Sequence, residues 1–236
     1  MAAPVVIVGA GQAAASFISR HVALGNTEPL LLIGEEPHPP YQRPPLSKKY
    51  LLGELERERL FIRPLEWYAE QGVETRFDTR VDAIRPGEKQ VTTSTGEAID
   101  YDRLILCTGS HARSLPAEMG GALPGVFTLR SIADIDRMAP EFRAGRRLLV
   151  IGGGYIGLEA AAVARQLGLE VTLIEMADRI QQRVAAAETS DYFRKLHTGH
   201  GVELREATRM SRLLADDGRV CGAELDSGEM IDADLV

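Results

Sequence analysis

Cysteine is nearly absent. The 236 residues contain two, Cys107 and Cys221, far apart and outside any CxxC or CxxxxC spacing. That excludes a disulfide framework and a local dithiol couple, so any redox chemistry must come from a cofactor. Long apolar runs are also missing: none approaches the ~18 residues that a membrane span requires. Met1 leads into Pro4-Val5-Val6-Ile7-Val8-Gly9 without a basic stretch or a cleavable apolar segment, which sets a cytoplasmic location as the expectation. No Lys/Arg block occurs and the formal charge is −7, so a nucleic acid would be repelled. His21, His38, His111, His197 and His200 show no metal-ligand spacing, and no metal site is expected; His197 and His200 are expected at a solvated helix end. Trp67 and Tyr68 stand in a helical stretch closed by Gly72, with Trp67 expected in the core and Tyr68 on the surface rather than as a stacking platform.

What is present is a globular composition, 44% hydrophobic and 26% charged, in a chain long enough for two units. The apolar run Val5 to Val8 is followed by Gly9-Ala10-Gly11-Gln12-Ala13-Ala14. A helical pattern then sets Phe17, Ile18, Val22 and Leu24 on one face and ends at Gly25-Asn26, before a second apolar run, Leu30 to Ile33, reaches Gly34-Glu35. This is a strand–turn–helix–strand unit. The same order returns at Leu148 to Ile151, Gly152-Gly153-Gly154-Tyr155-Ile156-Gly157, a helix through Leu167, and Val171 to Ile174 with Glu175. Gly72 to Val81 also lies without a gap over Gly201 to Met210, and the hairpin tip Thr95 to Asp100 resembles Ser227 to Asp232. The chain is an internal repeat. In the first copy the hairpin feeds a strand, Leu104 to Gly109, whereas its counterpart has barely begun at Leu235-Val236. A fragment, or part of a longer protein, is therefore expected.

The glycine turns point to dinucleotides. A pyrophosphate is anionic, and a helix's first turn offers unpaired N–H donors and the positive end of its dipole. In Gly9-x-Gly11-x-x-Ala14 the first glycine makes the turn, the second lets phosphates approach, and small Ala14 lets helix and strand pack; Gly152, Gly154 and Gly157 take those roles in the second copy. Glu35 follows Gly11 by 24 residues and Glu175 follows Gly154 by 21, near the spacing of a ribose-binding acid. Either glutamate alone can equally be a solvated residue closing a strand. A carboxylate there repels a 2′-phosphate, so Glu175 favours NADH over NADPH, although Arg179 and Arg183 lie close by.

The copies differ most between the acid and the Gly-Val-Glu element, 37 residues apart in the first and 26 in the second. The extra stretch includes Pro39-Pro40-Tyr41-Gln42-Arg43-Pro44-Pro45-Leu46-Ser47-Lys48, where prolines stiffen the backbone and Ser47 is placed to cap a following helix. It is either a proline-rich surface turn or a scaffold for Arg43 and Lys48.

Together, Pro40 to Lys48, the Cys107-Thr108-Gly109 strand end, and Gly152 to Glu159 closely resemble FAD-dependent ferredoxin reductases of the putidaredoxin and rhodocoxin reductase branch, and more distantly apoptosis-inducing factor. The resemblance spans nearly the whole chain. It implies an α/β fold of two Rossmann-like, three-layer ββα dinucleotide-binding domains: residues 1–113 for FAD, incomplete at the C-terminal side, and residues 114–236 for NAD(H). By the same resemblance Gly9, Gly11, Ala13, Glu35, Arg43, Lys48, Val81, Thr108, Gly109 and Arg130 line the FAD site. Gly152, Gly154, Ile156, Gly157, Glu159, Glu175 and Arg183 serve NADH. Lys48 and Glu159 are the implied reacting pair near flavin N5, with electrons passing to a ferredoxin-type iron–sulfur protein, expected to be [2Fe-2S], that feeds an oxygenase.

Disulfide reductases share the double plan but carry cysteines after the first unit, where this chain reads Pro-Tyr-Gln-Arg-Pro-Pro-Leu-Ser-Lys. Arg57, Arg59 and Arg63 fit a solvated basic face better than a docking patch. The competing class is a truncated, non-catalytic piece that binds NADH but retains FAD poorly.

Overall fold

The computed structural model of the chain describes residues 3–236. These form two units. One comprises the described residues up to Arg43 with Leu55–His111; the other comprises Pro44–Glu54 with Ala112–Val236.

In the first unit, β1 (Val5–Val8) and β2 (Leu30–Ile33) are apolar and buried along their whole length, as strands covered on both faces must be. They pair in parallel, and β3 (Val73–Arg76) extends the sheet beyond β2. Three antiparallel strands, β4 (Val81–Arg85), β5 (Gln90–Thr93) and β6 (Ala98–Asp100), make a separate sheet. Then β7 (Arg103–Leu106) returns to the far side of β1, giving the order β3-β2-β1-β7. Helix α1 (Gln12–Ala23) buries Ala14, Ala15, Ile18 and His21, the two alanines being small enough to let it lie close to the sheet. Leu24 does not join that face; it is the C-cap, 57% exposed, because its position carries it round the helix from Ile18.

Helix α2 (Leu65–Glu70) reverses the expectation for its aromatics: Tyr68 is fully buried, while Trp67 is half-buried under the Arg63 guanidinium, 5.3 Å from its ring centroid. Adjacent helix positions point about 100° apart, so ring size alone did not say which faces the sheet. Among the described residues the Tyr68 hydroxyl has no hydrogen-bond partner, and burial pushes the phenol up to about 12 against a small pull from Arg63. An unpartnered buried hydroxyl costs about 1–3 kcal/mol. Tyr68→Phe is therefore expected to match or exceed the parent in urea stability at neutral pH. It should also remove part of the stability lost above pH ~10, where the unfolded phenol ionises and the folded one does not. A loss above ~1 kcal/mol in the phenylalanine variant would reveal a partner for that hydroxyl.

In the second unit, α3 (Ile132–Met138) begins at a capping box: the Ser131 hydroxyl accepts from Asp134 N at 3.2 Å and the Asp134 carboxylate accepts from Ser131 N at 2.9 Å. β8 (Arg147–Ile151), α4 (Tyr155–Gln166), β9 (Glu170–Ile174), α5 (Ala187–Gly199) and β10 (Val202–Arg205) follow, with parallel strand order β10-β9-β8. Antiparallel β11 (Met210–Asp216), β12 (Arg219–Leu225) and β13 (Met230–Asp232) come next, and Leu235 then bridges in parallel to Leu148. His197, expected at a solvated end, is buried in α5. Burial first, and the nearby His200 second, hold it below the ordinary imidazole value.

The repeat holds down to single hydrogen bonds. Gly9 N donates to Ile33 O and Gly152 N to Ile174 O, each at 2.8 Å. Arg76 bridges Glu74 and Glu97 as Arg205 bridges Glu203 and Glu229. Asp78 and Ala207 share a left-handed backbone, φ +53° and +48°. One pairing shifts: Gly34 N bonds Arg76 O as Glu175 N bonds Arg205 O, so Gly34, not Glu35, is the partner of Glu175. The cause is steric. A Cβ at Gly34 would stand 2.6 Å from Ala10 Cβ, whereas Glu175 faces Gly153, which has none. Among the described residues no helix is long and apolar enough to cross a membrane.

Candidate functional site

Parallel strands end at a common edge, and in each unit the glycine turn opens there. In the first unit Gly9 has φ +104° and a Cβ on it would meet Cys107 O at 2.2 Å, so the turn admits only glycine. Gly11 differs. It is the extended N-cap of α1, with no side-chain cap and no acid in the first turn, and a Cβ there would meet nothing within 4 Å. Its helix therefore presents uncapped N–H groups to open space, which suits a phosphate. Ala13 is exposed on that turn, and Ala14 is the residue that packs.

The second turn is built alike. Gly152 has φ +108°, and Gly154 is the uncapped N-cap of α4, with empty space where its Cβ would be. Gly157 has the packing role: its Cβ would stand 2.1 Å from Gly152 O. Gly153 is braced on both sides, its N donating to Glu175 Oε2 at 2.7 Å and its O accepting from Gln181 N at 2.9 Å. The other Glu175 oxygen accepts from Ala177 N at 2.8 Å. Held so, the carboxylate keeps lone pairs that can accept further hydrogen bonds. Ile151 at the end of β8, Tyr155 and Ile156 in the first turn of α4, and Met176 and Val184 in the β9–α5 connection are exposed around the turn, as is Arg183 in that connection.

Lys48 and Glu159 meet. Segment 44–54 belongs to the second unit, and its helical turn Leu46–Tyr50 lies on α4. Lys48 Nζ stands 2.7 Å from Glu159 Oε2 and donates to Pro44 O at 3.1 Å, leaving one ammonium donor. Ser47 does not cap a helix. It is buried, and its hydroxyl donates to the same Glu159 Oε2 at 2.5 Å, because Pro45 takes the capping position and turns Ser47 inward. Buried Leu46 and the Tyr50 hydroxyl, 2.7 Å from Asp136 Oδ1, anchor the turn further.

On the first unit Arg43 is ordered by a residue that the sequence did not single out. Glu36 accepts from Arg43 Nη2 at 2.7 Å and from the Tyr41 hydroxyl at 2.6 Å, while Arg43 Nη1 donates to that hydroxyl at 2.8 Å. An acid just ahead of a Tyr-x-Arg loop was the available signal. Glu35 is exposed, with His111 Nε2 4.0 Å away. Thr108 and Gly109, φ +65°, follow β7 at the sheet edge, and Val81 packs partly buried at the start of β4. Arg130 lies in the second unit just before the α3 cap, its N donating to Asp134 Oδ2 at 3.0 Å. Among the described residues no cluster of His, Cys, Asp or Glu could hold a metal ion.

Comparison with known proteins decides the family: residues 3–236 match that described as pyridine nucleotide-disulphide oxidoreductase. The chain belongs to this family. Among pyridine nucleotide-disulphide oxidoreductases it is 41% identical, over 98% of its length and 56% of the relative's, to the 5,5'-dehydrodivanillate O-demethylase ferredoxin reductase subunit of Sphingobium sp.. It is 40% identical to rhodocoxin reductase of Rhodococcus erythropolis, over 98% of this chain and 54% of that one. Putidaredoxin reductase, solved in covalent complex with putidaredoxin, superposes with a TM-score of 0.94 at 38% identity, over 99% of this chain and 57% of that one. The chain thus spans a little over half the length of these relatives.

Proposed function

We propose that the protein takes hydride from NADH onto FAD and passes electrons singly to a ferredoxin-type iron–sulfur protein of the [2Fe-2S] kind that serves an oxygenase. The observation that carries this is the pair of glycine turns, each with empty space above its second glycine and an uncapped helix behind it. Relatives named as ferredoxin reductases support this direction of electron flow. On this proposal residues 1–113 bind FAD and residues 114–236 bind NADH.

When bound, FAD would supply hydride acceptance and one-electron release, chemistry that no side chain here offers. The chain's residues orient and compensate charge. Gly9, Gly11 and α1 seat one pyrophosphate, with Ala13, Glu35, Arg43, Val81, Thr108, Gly109 and Arg130 around the rest of the flavin cofactor. Gly152, Gly154, Gly157 and α4 seat the other, with Ile156 and Arg183 beside the nucleotide. Lys48 would supply positive charge to a reduced, anionic flavin, and Glu159 limits the cost of keeping that cation partly withdrawn from water. Glu175 accepts from the adenosine ribose and disfavours a 2′-phosphate.

Anaerobic mixing of the FAD-loaded chain with NADH tests this by absorbance. The expected result is bleaching of the flavin's visible band and its return when oxidised ferredoxin is added. A chain that binds NADH yet takes up no flavin would overturn the reductase in favour of a dinucleotide-binding piece.

A further inference from the structure

The loop joining β9 to α5 contains two arginines, Arg179 and Arg183, either of which would suit the 2′-phosphate of NADPH and so work against Glu175. They are not equally available. Arg179 Nη1 donates to Ser190 Oγ at 2.6 Å and to Ala186 O at 3.4 Å, and its Nη2 donates to Gln182 O at 3.3 Å. Ser190 is fully buried in the first turn of α5, and its hydroxyl donates in turn to Ile180 O at 2.6 Å. That hydroxyl has one proton, already committed to Ile180, so toward Arg179 it is an acceptor. The same loop is fastened at both sides: Ile180 N donates to Glu206 Oε1 just after β10 at 2.7 Å, while Gln181 N donates to Gly153 O in the glycine turn and Ile180 side-chain atoms occupy the space beside Gly153. Arg179 is therefore folded back onto its own loop, while Glu175 is fixed with its carboxylate beside Gly153.

We infer that Ser190 is a specificity-determining residue: by holding Arg179 against the α5 end of the loop it withholds the cation that a 2′-phosphate needs, so the site discriminates by a latch as well as by the Glu175 charge. The inference rests on the assignment of NADH to the second glycine turn, and it assigns the Ser190 hydroxyl a role that packing alone does not require. Freed by loss of that acceptor, Arg179 keeps only two longer contacts to carbonyls. It can then pair with a phosphate, where a charge-assisted hydrogen bond is stronger than one to a neutral acceptor.

Calorimetric affinities of the chain for 5′-AMP and 2′,5′-ADP test the latch without any flavin present. Ser190→Ala is expected to improve 2′,5′-ADP relative to 5′-AMP by about tenfold, the worth of one such hydrogen bond. The gain should vanish in S190A/R179Q and persist in S190A/R183Q. If alanine at this buried position unfolds the chain, S190C preserves volume with a weak acceptor and should give a gain in the same direction. An unchanged ratio, or a gain that disappears with R183Q instead, overturns the latch. Absence of 5′-AMP binding in the parent chain defeats the nucleotide assignment itself, and the latch falls with it.

Discussion

Alanine at Gly154 is expected to weaken NADH binding at least ~tenfold while moving the thermal midpoint by no more than a few degrees, because a Cβ there obstructs the approach of a phosphate to the helix while the fold loses only part of an N-cap. Gly154 has φ −79° in extended backbone that any residue adopts, and its added Cβ touches no atom within 4 Å. An N-cap changed from glycine to alanine costs about 0.5–1 kcal/mol, which moves the midpoint of a chain of this size by only a few degrees. Gly157→Ala should behave in the opposite way. Its Cβ would stand 2.1 Å from Gly152 O, a backbone atom fixed by a turn at φ +108°, so the helix must move off the strand. Alanine's better helix propensity returns about 1 kcal/mol, too little to offset overpacking against backbone, and a net loss of ~2 kcal/mol or more is expected from urea unfolding. Two glycines of one motif thus separate ligand approach from packing. A Gly154→Ala chain that binds NADH as the parent does would show that no phosphate sits on α4.

Lys48→Met is expected to slow flavin reduction by NADH by about a hundredfold, a loss typical of removing one preorganised electrostatic contact from a reacting centre. Stability should change by less than ~1 kcal/mol, since the Lys48 and Glu159 side chains are 47% and 31% exposed and such pairs contribute little to folding. Glu159→Gln should slow the same step, and the double variant should be no slower than the worse single one, because each group acts through the other. Anaerobic stopped-flow absorbance reads all three. A Lys48→Met rate within threefold of the parent would remove the pair from the chemistry and leave it as a tie between segment 44–54 and α4.

Much of this was legible in the sequence, for identifiable reasons. Continuous apolar runs bounded by glycine specify parallel strands buried on both faces, and the doubled Gly-x-Gly pattern located two glycine turns with left-handed Gly9 and Gly152, open space at Gly11 and Gly154, and close packing at Gly157. The overlay of Gly72–Val81 on Gly201–Met210 was visible because the Glu-x-Arg triads recur with their hairpin partners Glu97 and Glu229. Lys48 and Glu159 were paired by family resemblance alone, since nothing in their spacing says that a segment before β3 lies on α4.

What stayed hidden depends on contacts across sequence distance. Ser47 looked like a cap because a serine after prolines commonly is one; its true partner, Glu159, is 112 residues away. Glu35 and Glu175 looked equivalent because counting residues cannot detect that Ala10 forces a glycine at position 34. Tyr68 exchanged places with Trp67 because a six-residue helix has too few turns to define a face. Glu36 went unnoticed because its role appears only when the Tyr41–Arg43 loop folds back onto it.

The central claim is that one chain presents two independent phosphate-binding turns to two different nucleotides. Equilibrium titration of the chain with FAD and then NADH, repeated on Gly11→Ala and Gly154→Ala, tests it most directly. The account predicts one site for each nucleotide, with FAD lost only in the first variant and NADH only in the second. Competition between FAD and NADH for a single site, or loss of both in either variant, would contradict it.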